Sequence, residues 1–209
     1  MKRRSKWVKV LVSVLLSVVL MVQMTGVAWG DSLPSVKTLD LPIISQSKGT
    51  NIDNMEQCCW ACCGTSVCQY YGSSITLDEF IFSIKYTYMH NVAGSITDTK
   101  GGMLMEGIDS DYYYDGVEET LGVLTFNECK SELAAGRPIV ANSYMYYSTT
   151  QFLKHMILIS GYSVYTGDRL LITDSFNEYP EYHLYSELRT TYSVDKPYCL
   201  QGCLYNISR

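Results

Sequence analysis

Basic residues, histidines, long apolar runs and repeats are all scarce in this chain of 209 residues. Its 16 Lys and Arg face 21 Asp and Glu, and five of the basic ones (Lys2, Arg3, Arg4, Lys6, Lys9) crowd the start. Beyond residue 30 the balance is 11 basic to 21 acidic, a net charge of about −10, which excludes nucleic acid as a partner. The apolar run Val10 to Val22 has 13 residues, short of the roughly 20 a membrane span needs. With its basic head, and with Ala28-Trp29-Gly30 offering small residues before a cut at Asp31, it reads as a secretory signal over residues 1–30. The chain is then secreted, and membrane contact is confined to export; an uncleaved N-terminal anchor is the alternative. No repeat or low-complexity tract interrupts residues 31–209, which suffice for one monomeric domain burying about 70% of its unfolded surface without metal or oligomer.

Cysteine, by contrast, is plentiful. Gln57-Cys58-Cys59-Trp60-Ala61-Cys62-Cys63 puts four thiols in six residues, after a polar loop and at the head of an apolar stretch. A thiol is a strong nucleophile only as thiolate, and the free N–H groups and positive dipole end of a helix N-terminus stabilise that anion. Cys68, Cys129, Cys199 and Cys203 complete a set of eight whose pairing cannot be read from spacing. If one is a working nucleophile, seven remain, so at least one more is free or pairs between chains.

Trp60, Cys63, Val67 and Tyr70/Tyr71 recur at helical steps, and Gly72 ends that helix. Thr76-Leu77-Asp78-Glu79 and Thr125-Phe126-Asn127-Glu128 read as capping boxes, opening helices to about Met89 and to Gly136. Residues 91–116 are rich in Gly, Asp, Ser and Tyr without a steady period and read as a loop holding at most one short helical piece. From Ile139 onward the segments 139–144, 156–164, 170–173, 182–185 and 199–207 are β-branched or aromatic, separated by turn residues such as Thr166-Gly167-Asp168. Helices first and strands second make the class α+β with two lobes: residues 31–124 mainly helical, 125–209 mainly β.

A cysteine nucleophile needs a base that can return its proton to a leaving amine. Only His90, His155 and His183 are available. His155 is the best placed, at the mouth of the apolar strand Met156-Ile157-Leu158-Ile159; His90 follows a helix in a polar loop, and His183 lies among tyrosines. The base must itself be oriented through its other ring nitrogen. Leu170-Leu171-Ile172-Thr173-Asp174, antiparallel through the preceding turn, ends in a carboxylate that can lie beside His155.

The chain resembles the papain-like cysteine peptidases, above all compact secreted bacterial members with a Cys-Trp-Ala nucleophile motif. Three segments carry the resemblance: Cys59-Trp60-Ala61 with the helix end Tyr70-Tyr71-Gly72; Gly136-Arg137-Pro138-Ile139; and His155 through Gly161-Tyr162, then Leu171 to Asp174. It implies a two-lobed papain-like fold and a peptidase that cleaves peptides or proteins without a cofactor. It further implies Cys59 as nucleophile, His155 as base and acid, Asp174 as orienting residue, and an oxyanion-hole glutamine upstream. Gln46, 13 residues before Cys59, is preferred for that role, with Ser47 to Glu56 as an insertion; Gln57 is the rival. Lys154 replaces the small residue that often precedes the histidine, either as a solvated strand-edge charge or as a selector of acidic substrates. Pairing with an imidazolium can lower a cysteine pKa from about 8.5 to roughly 3–4, on the order of 6 kcal/mol, and only the sulfur facing His155 gains it. On this reading Cys62 and Cys63 are core residues and Cys58 a disulfide partner.

Three other readings compete. Cys59-x-x-Cys62 is also a thioredoxin-like disulfide oxidoreductase motif, although residues 47–57 supply no preceding buried strand. Cys59/Cys62 with Cys199/Cys203 could form a zinc site. A catalytically inactive papain-like binding module would share the fold without the chemistry.

Overall fold

In a computed structural model the described residues are 32–46, 56–113, 122–146, 152–189 and 198–209. The secretory signal expected over residues 1–30, residues 47–55 of the expected insertion and part of the tyrosine-rich stretch lie outside them. Leu33–Arg209 forms one compact unit. None of the described helices is long and apolar enough to cross a membrane.

The unit is built on α1 (Cys59–Tyr70), in which every residue from Trp60 to Cys68 is buried. A helix covered all round needs small side chains where neighbours press on it. Gly64 is such a point: a Cβ there would sit 2.1 Å from the ring of Phe80, and one on Gly102 would meet the same ring from the other side at 2.3 Å. Phe80 belongs to α2 (Leu77–Lys85), opened by the Thr76/Glu79 capping box, and Gly102 to α3 (Ile96–Met105). The three helices therefore lock around one phenylalanine ring. Helix α2 stops at Lys85, earlier than periodicity suggested, because Tyr86 turns left-handed at φ +55°.

Helix α3 and strand β2 (Asp109–Tyr112) occupy a region whose composition reads as loop. Ser95 and Asp98 form a full capping box there, and Gly101-Gly102 is tolerated within the helix because Phe80 fills the space beside Gly102.

Helix α4 (Phe126–Ala134) leads into the strands β3 (Ile139–Tyr146), β4 (Phe152–Ser163), β5 (Arg169–Thr173) and β6 (Glu181–Leu184). The short α5 (Tyr185–Leu188) and β7 (Tyr198–Ser208) follow. Among the described residues the sheet runs β2-β7-β3-β4-β5-β6, with β1 (Val36–Thr38) added beside β4, and every pairing is antiparallel. The fold is thus mixed helix and antiparallel sheet. β1 and β2 come from residues 31–124, so the sheet is not the product of residues 125–209 alone.

Two contacts fasten α1 to this sheet. Tyr70 Oη donates to the Gly136 carbonyl (2.9 Å) and Tyr71 Oη to that of Ile207 (2.6 Å). Those bonds hold the end of the helix, and the helix itself packs on β4, where the site lies.

Candidate active site

Cys59 is the first residue of α1. Its N-cap, Cys58, makes no side-chain cap and the first turn carries no acid; Ala61 N–H already donates to the Cys58 carbonyl (2.9 Å), which leaves the N–H groups of Cys59 and Trp60 to face an anion. Of the eight cysteines, none in a disulfide, Cys59 is the one that is partly exposed and the other seven are buried. Burial pushes the Cys63 thiol well up, and Cys68 and Cys203 to about 12. The Cys58 and Cys62 sulfurs lie 4.0 Å apart; their contact lowers Cys58 and raises Cys62.

His155 projects from β4 with its side chain wholly buried. Alternation along the strand puts it on the same side as Ile157, and β5 pairs Thr173 with Leu158, so Asp174 continues the ladder opposite Ile157. The result is a 2.7 Å hydrogen bond between His155 Nε2 and Asp174 Oδ1. Asp174 also accepts from Phe176 N (2.9 Å) at Oδ1 and from Tyr198 Oη (2.5 Å) at Oδ2. Phe176 stacks on the imidazole at 4.7 Å, nearly parallel at 4°.

The other imidazole nitrogen, Nδ1, is buried and makes no formed hydrogen bond. Cys59 lines the same cavity as the ring and is close enough to act on it. Burial disfavours a charged ring, but the bond to Asp174 and the proximity of Cys59 outweigh it and raise the His155 pKa to about 10. Burial works against the Asp174 carboxylate as well; His155, Phe176 N and Tyr198 outweigh that and hold its pKa below the usual value. Cys59, His155 and Asp174 are thus brought together.

Gln46 is buried but does not line the cavity at Cys59. Its backbone N–H donates to Ser175 O (3.1 Å), its Oε1 accepts from Ser175 Oγ (2.9 Å), and its Nε2 donates to Glu56 O (2.9 Å). It ties the segment before the nucleophile to the residue after Asp174, and one Nε2 hydrogen remains. Gln57 is exposed. His90 bonds Asp78 (2.6 Å) and His183 packs edge-on to Tyr198; neither lines the cavity that holds Cys59.

That cavity has a volume of about 380 Å³. Its floor is a same-face patch of two paired strands, with Tyr144 opposite Lys154 and Asn142 opposite Met156. Gln201 reaches it from a bulge: β7 passes from Leu200 to Gly202 while β3 advances only from Ser143 to Asn142, so Gln201 is the extra residue. The wall opposite is the start of α3, where Gly94 lies so close to the Trp60 ring that a Cβ would be 2.4 Å from it.

Compared with known proteins, the chain matches the family described as Peptidase_C39 like over residues 38–196. The chain belongs to the Peptidase_C39-like family. This membership and the fold class it as a cysteine peptidase. Among solved structures, this Peptidase_C39-like chain is similar to the active wild-type interpain A cysteine protease of Prevotella intermedia. The TM-score is 0.54 at 11% identity, covering 83% of this chain and 95% of that one. No curated protein matches it in sequence.

The thioredoxin-like alternative fails on topology, since that fold needs βαβ units and the described strands pair only antiparallel. Among the described residues no three His, Cys, Asp or Glu side chains are disposed to hold a metal ion. Tyr198, Phe176 and Gln201 escaped the sequence reading. Phe176 alone left a signal, as a single large apolar residue between the polar Ser175 and Asn177.

Proposed function

We propose that this Peptidase_C39-like chain is a secreted endopeptidase in which residues 1–30 direct export and residues 31–209 form the monomeric catalytic domain. The observation that carries the reading is the convergence of Cys59 and His155 on one cavity, with Asp174 holding the far nitrogen of the imidazole. Cys59 Sγ attacks the scissile carbonyl of a peptide or protein as thiolate, forming an S–C bond and a tetrahedral oxyanion. The Cys59 backbone N–H and the remaining Nε2 hydrogen of Gln46 receive that oxyanion. His155 gives its Nδ1 proton to the leaving amine as the C–N bond breaks. It then takes a proton from the water that releases the acyl group and frees the thiol. No cofactor enters any step. An amine in place of water would give ligation by the same route.

The fully buried Asp174–His155 pair and the stacked Phe176 support this assignment, because they fix the ring and leave only Nδ1 to exchange a proton. The test is labelling by a peptidyl vinyl sulfone. Wild type and Cys62→Ser should be labelled on Cys59, and Cys59→Ser and His155→Ala should not. Equal labelling of His155→Ala and wild type would leave the thiol unactivated and sink the mechanism in favour of an inactive binding module.

A further inference from the structure

Lys154, a departure already visible in the sequence, sits in the floor of the cavity beside Cys59, exposed and without an ion pair to any described residue. The charges around it are unevenly distributed. When Cys59 and His155 stand as thiolate and imidazolium their charges cancel; Asp174 lies behind the imidazole, bonded by Phe176 N and Tyr198 Oη, and no carboxylate lines the cavity among the described residues. Asp98, in the first turn of α3, is engaged by Ser95 N (2.6 Å) and Lys85 (3.0 Å). Two helix starts, α1 at Cys59 and α3 at Ser95 and Ile96, add the positive ends of their dipoles. The amide of Asn142 adds a donor to the rim, while that of Gln201 is engaged by the Cys199 carbonyl (3.4 Å) and sulfur (3.2 Å). In a protein of net charge −5, Lys154 is thus, among the described residues, the one charged side chain that lines this cavity beyond the Cys59–His155 pair.

Resting on the peptidase reading above, we propose that this cavity is a specificity pocket for an acidic side chain, with Lys154 as the selecting residue. The pocket takes the glutamate or aspartate of a substrate at one of the two positions preceding the scissile bond. Its volume of about 380 Å³ accommodates one or two residues of peptide. Ile96 and Met156 cover the aliphatic stem, and Lys154 with the Asn142 amide meets the carboxylate. The lysine is at the solvent edge, so its contribution is a modest, salt-sensitive preference rather than an absolute requirement.

Matched fluorogenic peptides with Glu, Leu or Lys at each of those two positions test this on wild type and on Lys154→Glu. Wild type should favour Glu over Lys in kcat/KM by about three- to tenfold at one position, the preference shrinking in about 0.5 M salt. Lys154→Glu should reverse the order. An unchanged Glu-to-Lys ratio in the variant overturns the assignment while leaving the peptidase intact. If wild type cleaves no peptide, the peptidase reading falls, and fluorescence polarisation of the labelled Glu and Lys peptides on Cys59→Ala decides the pocket. Tighter binding of the Glu peptide supports it, and equal binding refutes it.

Discussion

Replacing Asp174 by Asn separates the charge of the acid from its hydrogen bond. The asparagine oxygen can still accept from His155 Nε2 and Phe176 N, while its NH2 faces Tyr198 Oη, which must turn to accept rather than donate. What is lost is the negative charge 2.7 Å from a buried imidazole. A rise of the His155 pKa from 6.5 to about 10 is on the order of 5 kcal/mol in favour of imidazolium, supplied by Asp174 and Cys59 against burial. Without the carboxylate, burial is opposed by Cys59 alone, and the pKa should fall by about two pH units. Rate depends on imidazolium, so activity is present below the His155 pKa and lost as pH rises through it. The alkaline limb of kcat/KM should therefore move from about pH 10 in wild type to about pH 8 in Asp174→Asn. At pH 7 the asparagine variant should lose only about tenfold in kcat/KM, since papain-like sites run on Cys-His-Asn as well, whereas Asp174→Ala should lose about a hundredfold or more. Linkage gives the same sign in stability. A raised histidine pKa stabilises the fold fully below about 6.5, and that contribution disappears as pH climbs to about 10. Urea unfolding of wild type should weaken across that window and that of Asp174→Asn should change less. Coincident alkaline limbs in wild type and Asp174→Asn would refute the claim that the buried carboxylate sets the charge on His155.

Tyr198→Phe removes the donor at Asp174 Oδ2 (2.5 Å) and should cost about 1–3 kcal/mol at pH 7. The pKa of Asp174 is then less depressed, so the loss of stability on acidification, present above the unfolded value and lost below it, should be shallower than in wild type, as read by urea midpoints across pH. Gly64→Ala forces a methyl to 2.1 Å from the Phe80 ring, already backed by Gly102, and should cost about 1–3 kcal/mol; an unchanged denaturation midpoint would contradict the packing. Thr125→Ala deletes the cap that accepts from Glu128 N (3.3 Å), and should lower stability by about 1 kcal/mol while leaving kcat/KM unchanged.

Legibility in the sequence followed how local each signal was. The capping boxes at Thr76 and Thr125 declare themselves in four residues because the bonds that make them span three positions. Ser95 to Asp98 is the same motif, yet the helix it opens is hidden by Gly101-Gly102, whose low helix propensity is overridden by the Phe80 ring lying against Gly102. Tyr198 could not be assigned to Asp174 in advance. Its contact depends on β7 lying beside β3 in the sheet, a pairing between segments more than 50 residues apart. Gln201 owes its place in the cavity to a single extra residue in β7, and a bulge of that kind leaves no periodic trace.

By itself the sequence determined the family and the class. The order of helices and strands, the Cys59-Trp60-Ala61 helix start, and a histidine strand followed 19 residues later by an acid are properties of neighbouring residues and their spacing. Tertiary structure decided which of eight thiols stands partly exposed beside the one wholly buried imidazole. It also decided what holds that imidazole and what surrounds the bond to be broken. Those depend on strand register, a bulge and a stacked ring, which bring together side chains that no local pattern connects.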